Sequence, residues 1–227
     1  MAGGTSADRP VVWLNCAVSM DGRLAFADGA RARLSGPEDL ARVQGLRADS
    51  DGILVGVGTV LLDDPSLRVH GETLPRSPGR APYRIVLDST GRTPEGARFL
   101  DGSAPTIVAT TTRCRRTFPP SVRTIVAGEE RVDLVRLFGE LLRLGIRRLM
   151  IEGGATVFAS VLRAGLFDRW TVYCAPVAIG GATAPALLAG PEVHGFDEAV
   201  RVELAGLERL GEGFLATYLP GRRAPAR

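Results

Sequence analysis

Short apolar segments rich in valine, isoleucine and threonine alternate along this chain with segments of helical periodicity. This alternation limits the possible folds more than any other feature of the sequence. Continuous apolar segments of this length are typical of strands that are buried on both faces. Strands that alternate with helices favour an α/β fold with a largely parallel sheet. The predicted strands cover residues 11–18, 52–57, 83–88, 106–111, 123–128, 147–153 and 169–177, and the predicted helices cover residues 37–48, 133–144 and 155–164.

The helix predicted over residues 37–48 has a clear start signal. It begins with a proline and two acidic residues, which are favourable in a first turn. Its periodicity places Leu40, Val43 and Leu46 on one face, which we expect to be buried.

The end of the chain has a different pattern, with two strand-like segments and no helix between them. Residues 200–210 and 213–219 flank a tight Gly-Glu-Gly turn. This spacing predicts an antiparallel hairpin.

Length and composition agree with one globular domain. Of the 227 residues, 45% are hydrophobic and 23% are charged, which is the balance of an ordinary globular protein. No long linker or repeat interrupts the pattern. We therefore expect one domain over residues 10–219, with flexible tails at residues 1–9 and 220–227.

Charge and cysteine content exclude several classes of function. The net charge is +3, and the basic residues, all arginines, are spread along the chain rather than gathered into a nucleic-acid-binding patch. Three cysteines and two histidines show no metal-ligand spacing, and scattered cysteines fit a reducing compartment. The uncharged run at residues 170–191 contains three prolines and three glycines, which indicate strand, loop and turn rather than a membrane span. With no apolar leader at residues 1–10, we expect a cytoplasmic protein that binds no metal, nucleic acid or membrane.

The strongest local motif is LMIEGGATVFAS at residues 149–160. A buried strand runs into Glu152, then into Gly153 and Gly154, and a helix follows. Glycines at such a turn let a ligand approach the backbone, and a helix N-terminus attracts phosphate. From the residues alone, a purely structural turn remains the alternative.

A second candidate site is GILVGVGTVLLDDPSLRVHG at residues 52–71. Thr59 and Asp63 follow the strand, where they could hydrogen-bond a ribose or an amide. Alternatively, Thr59 caps a short helix and the Asp-Asp-Pro sequence ends it.

A third candidate, NCAVSMDGR at residues 15–23, runs from a strand into a Met-Asp-Gly turn that could be simply structural. Arg47 could equally be a solvated arginine at the end of a helix, and His70 an ordinary surface residue. The chain has no GxSxG, no GxxxxGK[ST] and no HxE with PCxxC. These absences argue against an α/β-hydrolase, a P-loop NTPase and a zinc deaminase.

Taken in order, these motifs resemble the pyrimidine-reductase family of riboflavin biosynthesis. That family includes stand-alone reductases and the C-terminal half of the bacterial deaminase/reductase. The resemblance covers residues 10–219. It rests on NCAVSMDGRLA, RVQGLRADSDGILVGVGTVLLDDPSLRVH, YRIVLDSTGRTP, LMIEGGATVFASVLRAGLFDRWTVYCAPVAIGG and RLGEG.

The resemblance implies a three-layer α/β fold like that of dihydrofolate reductase, with a mostly parallel sheet and a C-terminal antiparallel hairpin. It further implies NADPH as cofactor and a homodimer. The implied reaction reduces the ring ribose of a ribosylaminopyrimidine 5′-phosphate to an open ribityl chain.

The resemblance also assigns residues to the site. Glu152 would face the substrate, and our own hypothesis for the mechanism is that it relays a proton through water. The residues implied to bind NADPH are Thr59, Asp63, Ser89, Gly153, Gly154, Ala155, Thr156 and Val157. Those implied to bind the substrate are Asn15, Arg31, Arg47, Leu67, His70 and Glu152.

Within this function, Asn15 favours the 2,5-diaminopyrimidinone substrate over the aminouracil.

Two alternatives to this function stay open. A reductase of the same fold could instead act on another pterin-like substrate such as dihydrofolate, although Arg47 suits a phosphorylated sugar better. The other alternative is a protein that binds NADPH without catalysis. The sequence names no basic residue that would hold the 2′-phosphate of NADPH.

Overall fold

A computed structural model describes residues 8–70 and 79–221 of the chain. The strands are β1 (Val11–Ser19), β2 (Gly52–Gly56), β3 (Tyr83–Leu87), β4 (Thr106–Thr110), β5 (Val122–Val126), β6 (Arg148–Gly153), β7 (Arg169–Ala175), β8 (Val202–Leu210) and β9 (Gly213–Pro220). The α-helices are α1 (Pro37–Ala48), α2 (Val57–Asp63), α3 (Leu134–Arg143) and α4 (Ala155–Arg163), and a short 3₁₀-helix covers Arg98–Leu100.

The described residues form two compact units. The first contains residues 8–12 and 40–154 apart from the gap at 71–78, and the second contains residues 13–39 and 155–221. The single reductase domain expected over residues 10–219 stays a prediction.

The first unit is built on parallel strands in the order β5-β4-β3-β2-β6. Strand β2 is completely buried, as expected for a strand with a neighbour on each side and a continuous apolar sequence. One side of the sheet packs a cluster that includes Ile53, Val86, Phe99 and Val108. The expected α/β class with a largely parallel sheet is confirmed.

Two expectations about burial are wrong. Strand β5 is mostly exposed, because it lies at the edge of the sheet and has a neighbour on one side only. In α1, Leu40 is 51% exposed instead of lying on a buried apolar face. The fully buried residue of this helix is Asp39, whose carboxylate accepts a hydrogen bond from the Ser35 hydroxyl at 2.5 Å.

In the second unit, β1 pairs in parallel with β7, and β7 pairs antiparallel with β9, which in turn pairs antiparallel with β8. The expected C-terminal hairpin is confirmed, with its turn at Gly211, where φ is +58°. Strand β9 continues to Pro220, and residues 1–7 and 222–227 of the expected tails lie outside the described residues. The uncharged run forms β7 and then irregular chain. None of the helices in the described ranges is long and apolar enough to cross a bilayer.

Candidate active site

The turn between β6 and α4 is tightly packed against a side chain of α2. Strand β6 ends at Gly153, Gly154 follows, and the peptide bond between the two glycines is cis. A Cβ atom on either glycine would lie 3.1 Å from Thr59 Oγ1, closer than an ordinary van der Waals contact. A side chain at either position would require Thr59 to shift, and with glycine at both positions the turn presents backbone rather than side chains.

Thr59 lies inside α2 and does not cap it. The helix begins at Val57 after an N-cap at Gly56 that makes no side-chain capping bond, so the alternative role of Thr59 as a cap is wrong. The Asp-Asp-Pro sequence does end the helix, since Asp64 is in the left-handed region with φ of 39°. Asp63, the last helical residue, is exposed.

Arg47 and Glu152 form a bidentate ion pair within this unit. Arg47 Nε and Nη2 donate to Glu152 Oε1 and Oε2, both at 2.6 Å. The side chains are only 15% and 12% exposed, so the pair is largely shielded from water. Burial lowers the pKa of the Arg47 guanidinium, but the charge and hydrogen bonds of Glu152 outweigh burial and raise it above its ordinary value. Two residues expected at the substrate site are thus brought together by a bidentate ion pair.

The same guanidinium reaches the segment that follows α2. Arg47 Nη1 donates to the backbone carbonyl of Arg68 at 2.9 Å. Next to it, Leu67 is 1% exposed and has a positive φ of 50°. The backbone N–H of His70 donates to Gln44 Oε1 at 2.9 Å, while its side chain is exposed. The expected substrate residues Leu67 and His70 therefore lie in one segment that α1 holds by hydrogen bonds.

Ser89 follows the carboxyl end of β3, in a loop that is fixed by its neighbour Asp88. The buried Asp88 carboxylate accepts hydrogen bonds from the backbone N–H groups of Gly91, Arg92 and Thr93 at 2.7–3.0 Å. The Ser89 hydroxyl accepts a bond from the backbone N–H of Val132 at 3.3 Å, which leaves its own proton to donate. Sequence reasoning missed Asp88, although an aspartate before a Ser-Thr-Gly turn is a signal for such a loop.

Arginines gather beside Ser89, because the loops after parallel strands meet at one edge of the sheet. A Cβ atom on Gly91 would lie 2.9 Å from both Cys114 Sγ and Arg116 Cβ, so the loops after β3 and β4 are in contact. The arginines in the loops after β3, β4 and β5 are Arg92, Arg113, Arg115, Arg116 and Arg131. Only one of them, Arg113, forms an ion pair within residues 8–70 and 79–221, and its partner is Glu130. This edge can attract an anion.

In the second unit, Asn15 is 6% exposed and its Oδ1 accepts a hydrogen bond from the Thr171 hydroxyl at 2.8 Å. Arg31 is exposed in the irregular chain between β1 and α1. Of the first residues of α4, Thr156 is exposed and Val157 is buried. The expected contacts of these residues with cofactor or substrate stay predictions.

The SMDG motif of the second unit fixes a loop. The Asp21 carboxylate accepts hydrogen bonds from the Ser19 hydroxyl at 2.6 Å and from the backbone N–H groups of Ile179 and Gly180 at 3.0 and 2.7 Å. These bonds, led by that of Ser19, hold the pKa of Asp21 well below its usual range. The motif therefore has a structural role. Within the described residues, no group of three His, Cys, Asp or Glu side chains could hold a metal ion.

Comparisons with known proteins give a consistent picture. The family model described as "RibD C-terminal domain" matches residues 10–216. The chain is 41% identical to the 2,5-diamino-6-ribosylamino-4(3H)-pyrimidinone 5′-phosphate reductase of Methanothermobacter thermautotrophicus, over 92% of this chain and 98% of that one. It is 40% identical to the Archaeoglobus fulgidus protein of the same name, over 92% and 97%. It is similar to the solved structure of Acinetobacter baumannii RibD, form 2, with a TM-score of 0.79 and 26% identity over 95% of this chain and 59% of that longer one.

The glycine turn generates a testable prediction about NADPH binding. Gly154→Ala places a methyl group 3.1 Å from Thr59 Oγ1, on the backbone expected to approach the cofactor. We expect the dissociation constant for NADPH, measured by calorimetry, to rise about tenfold, or about 1.4 kcal/mol. The control is Gly96→Ala, where a Cβ meets nothing within 4 Å and affinity should not change. Equal affinities of the two variants would contradict a cofactor role for this turn.

Proposed function

Because the chain belongs to the RibD C-terminal domain family, we propose that it is a pyrimidine reductase of riboflavin biosynthesis. Its substrate is 2,5-diamino-6-ribosylamino-4(3H)-pyrimidinone 5′-phosphate, the compound for which the two archaeal relatives are named. The observation that carries this proposal is that this chain is 40% or more identical to each of these two relatives over nearly their full lengths. Fold alone would not decide the substrate, since reductases of one fold act on different compounds.

Two features of the first unit fit NADPH: the turn at Gly153 and Gly154, and the sheet edge where arginines lie beside Ser89, here called the arginine edge. The paired glycines leave the backbone of the turn free of side chains next to the Thr59 hydroxyl, which lets phosphate and ribose oxygens approach it. The arginine edge at Ser89 supports NADPH over NADH, because guanidinium groups suit a phosphate monoester. NADPH, when bound, supplies the hydride. Thr59, Asp63, Ser89 and residues 153–157 would hold it.

The reaction also needs a proton donor. When the ribose ring opens, the bond between C1 and the ring oxygen breaks, C1 gains a hydride, and one proton is taken up overall. Glu152, acting through water, is the proposed relay. Its carboxylate is bound by Arg47 and still has lone pairs to accept a hydrogen bond from a water molecule, which it orients. That water passes a proton to the ring oxygen and is resupplied with a proton from solvent.

The ion pair also limits what Arg47 can do for the substrate. Three of the five N–H groups of a guanidinium are used, two on Glu152 and one on the carbonyl of Arg68. Two N–H groups therefore remain for the ribose phosphate. Asn15, Arg31, Leu67 and His70 complete the proposed substrate contacts.

The C-terminal hairpin supports the proposed homodimer. Among the described residues, β8 is the last strand of the sheet. Leu204 and Leu207 in β8 are 55% and 63% exposed, and Phe214 in the adjacent β9 is 44% exposed. An apolar strand edge of this kind pairs readily with a second copy. Light scattering should give twice the chain mass of 24.1 kDa, whereas a mass of one chain would contradict the dimer.

The uninterrupted family match at residues 10–216 supports a single reductase domain over residues 10–219. The cytoplasmic location, expected from the scattered cysteines, stays a prediction.

The function is tested by the loss of NADPH absorbance with three substrates in parallel. These are the diaminopyrimidinone ribosyl phosphate, the aminouracil analogue and dihydrofolate, each also tested with NADH. We expect oxidation of NADPH with the diaminopyrimidinone and little with dihydrofolate or NADH. Oxidation with dihydrofolate alone would contradict the proposal, and binding of NADPH without any oxidation would favour a non-catalytic protein.

Replacing Glu152 tests the proton relay. Glu152→Gln should lower kcat about 100-fold, the low end of what general acid–base catalysis contributes, with little change in NADPH affinity. Glu140→Gln is the matched control, because it too removes a carboxylate from an arginine ion pair, the exposed one with Arg143 on α3. An equal loss of turnover and NADPH affinity in Glu152→Gln would exclude the relay.

A further inference from the structure

A second ion-pair network of the first unit lies beyond the residues assigned to the site. The buried end of this network is Arg84 in β3, whose side chain is 0% exposed. Arg84 Nη1 donates to Asp101 Oδ1 at 2.7 Å, and Nη2 donates to the carbonyl of Ala104 at 2.8 Å. These two hydrogen bonds orient the buried guanidinium, and its Nη1 in turn anchors the Asp101 carboxylate.

Asp101 connects the buried Arg84 to the segment that carries Leu67 and His70. Its second oxygen, Oδ2, accepts a hydrogen bond from Arg68 Nη2. The hydroxyl and backbone N–H of Ser103, followed by Arg84, hold the pKa of Asp101 well below its usual range. The two carboxylate oxygens of Asp101 thus bind different arginines, Oδ1 the buried Arg84 and Oδ2 the exposed Arg68.

Arg68 is held at both ends. Its side chain pairs with Asp101, while its backbone carbonyl accepts the hydrogen bond from Arg47, the partner of Glu152. A chain of polar contacts thus runs from the buried Arg84 to Glu152 without a gap.

The segment from residue 64 to residue 70 needs such support. Asp64 and Leu67 both have positive φ values, 39° and 50°, a conformation that is strained for residues other than glycine. At its start, Asp64 Oδ1 accepts a hydrogen bond from the backbone N–H of Arg98 at 2.8 Å. A segment of this kind keeps its shape only if its surroundings hold it at several points.

We propose that Arg68 and Asp101 are positioning residues for the substrate, which hold the segment carrying Leu67 and His70 against α1. This inference rests on the proposed function, because it takes Leu67 and His70 as substrate contacts. Isolated surface ion pairs contribute little, but this one ends on a buried arginine that fixes its geometry.

The first test is Arg68→Ala, which removes the bridge and leaves Arg84 neutralised by Asp101. We expect KM for the ribosyl phosphate to rise about tenfold and kcat to change less than threefold, the pattern of lost substrate binding. Arg68→Lys, which keeps a charge within reach of Asp101, should recover part of the loss. The matched control is Arg143→Ala, which breaks the exposed ion pair with Glu140 on α3 and should leave KM unchanged.

A second variant separates positioning from direct contact. Asp101→Asn keeps Arg68 but weakens its anchor, so it should also raise KM, and the double variant should be no worse than the worse single variant. A raised KM in Arg68→Ala with a normal KM in Asp101→Asn would show direct contact of Arg68 with substrate and overturn the proposal.

Hydrogen exchange tests the same inference without activity. The peptide covering residues 64–70 should exchange faster in Arg68→Ala than in the parent protein, and Arg143→Ala should leave it unchanged. Equal exchange in the two variants would overturn the proposal. If the parent protein reduces no ribosyl phosphate, the proposed function fails, while this readout still decides whether Arg68 holds the segment.

Discussion

The ion pair between Arg47 and Glu152 is the contact on which the first unit's part of the site depends. It joins α1 to the end of β6, immediately before the paired glycines, and through Arg68 it reaches the segment that follows α2. Both charges are largely shielded, so neither is tolerable without the other. The pair therefore fixes the orientation of the Glu152 carboxylate and the number of Arg47 N–H groups that remain for the substrate. Through Arg68 it also fixes where Leu67 and His70 lie.

The sequence predicted the fold well where the signal is local. Alternating strands and helices required parallel crossover connections, and two strands around a Gly-Glu-Gly turn required a hairpin. Burial was predicted less well, because it depends on the position of a strand or helix among its neighbours. Strand β5 has an apolar sequence but lies at a sheet edge, and Leu40 has helical spacing but faces solvent.

For the site, the sequence named individual residues and could not name their partners. Arg47 and Glu152 are 105 positions apart, and nothing in either local sequence indicates that they meet. The bridge from Arg68 to Asp101 was missed for the same reason. Thr59 shows how a local rule fails: threonine near a helix start suggests a cap, but the helix begins earlier and the side chain packs against the glycine turn.

The most direct test of this account is a double-mutant cycle on Arg47 and Glu152, with the free energy of unfolding measured in urea. Arg47→Leu and Glu152→Leu each leave a shielded charge without its partner, and each should cost about 3 kcal/mol. The double variant should be more stable than either single variant, so that the coupling free energy is at least about 3 kcal/mol. Additive losses, with a coupling near zero, would contradict the claim that this ion pair organises the site.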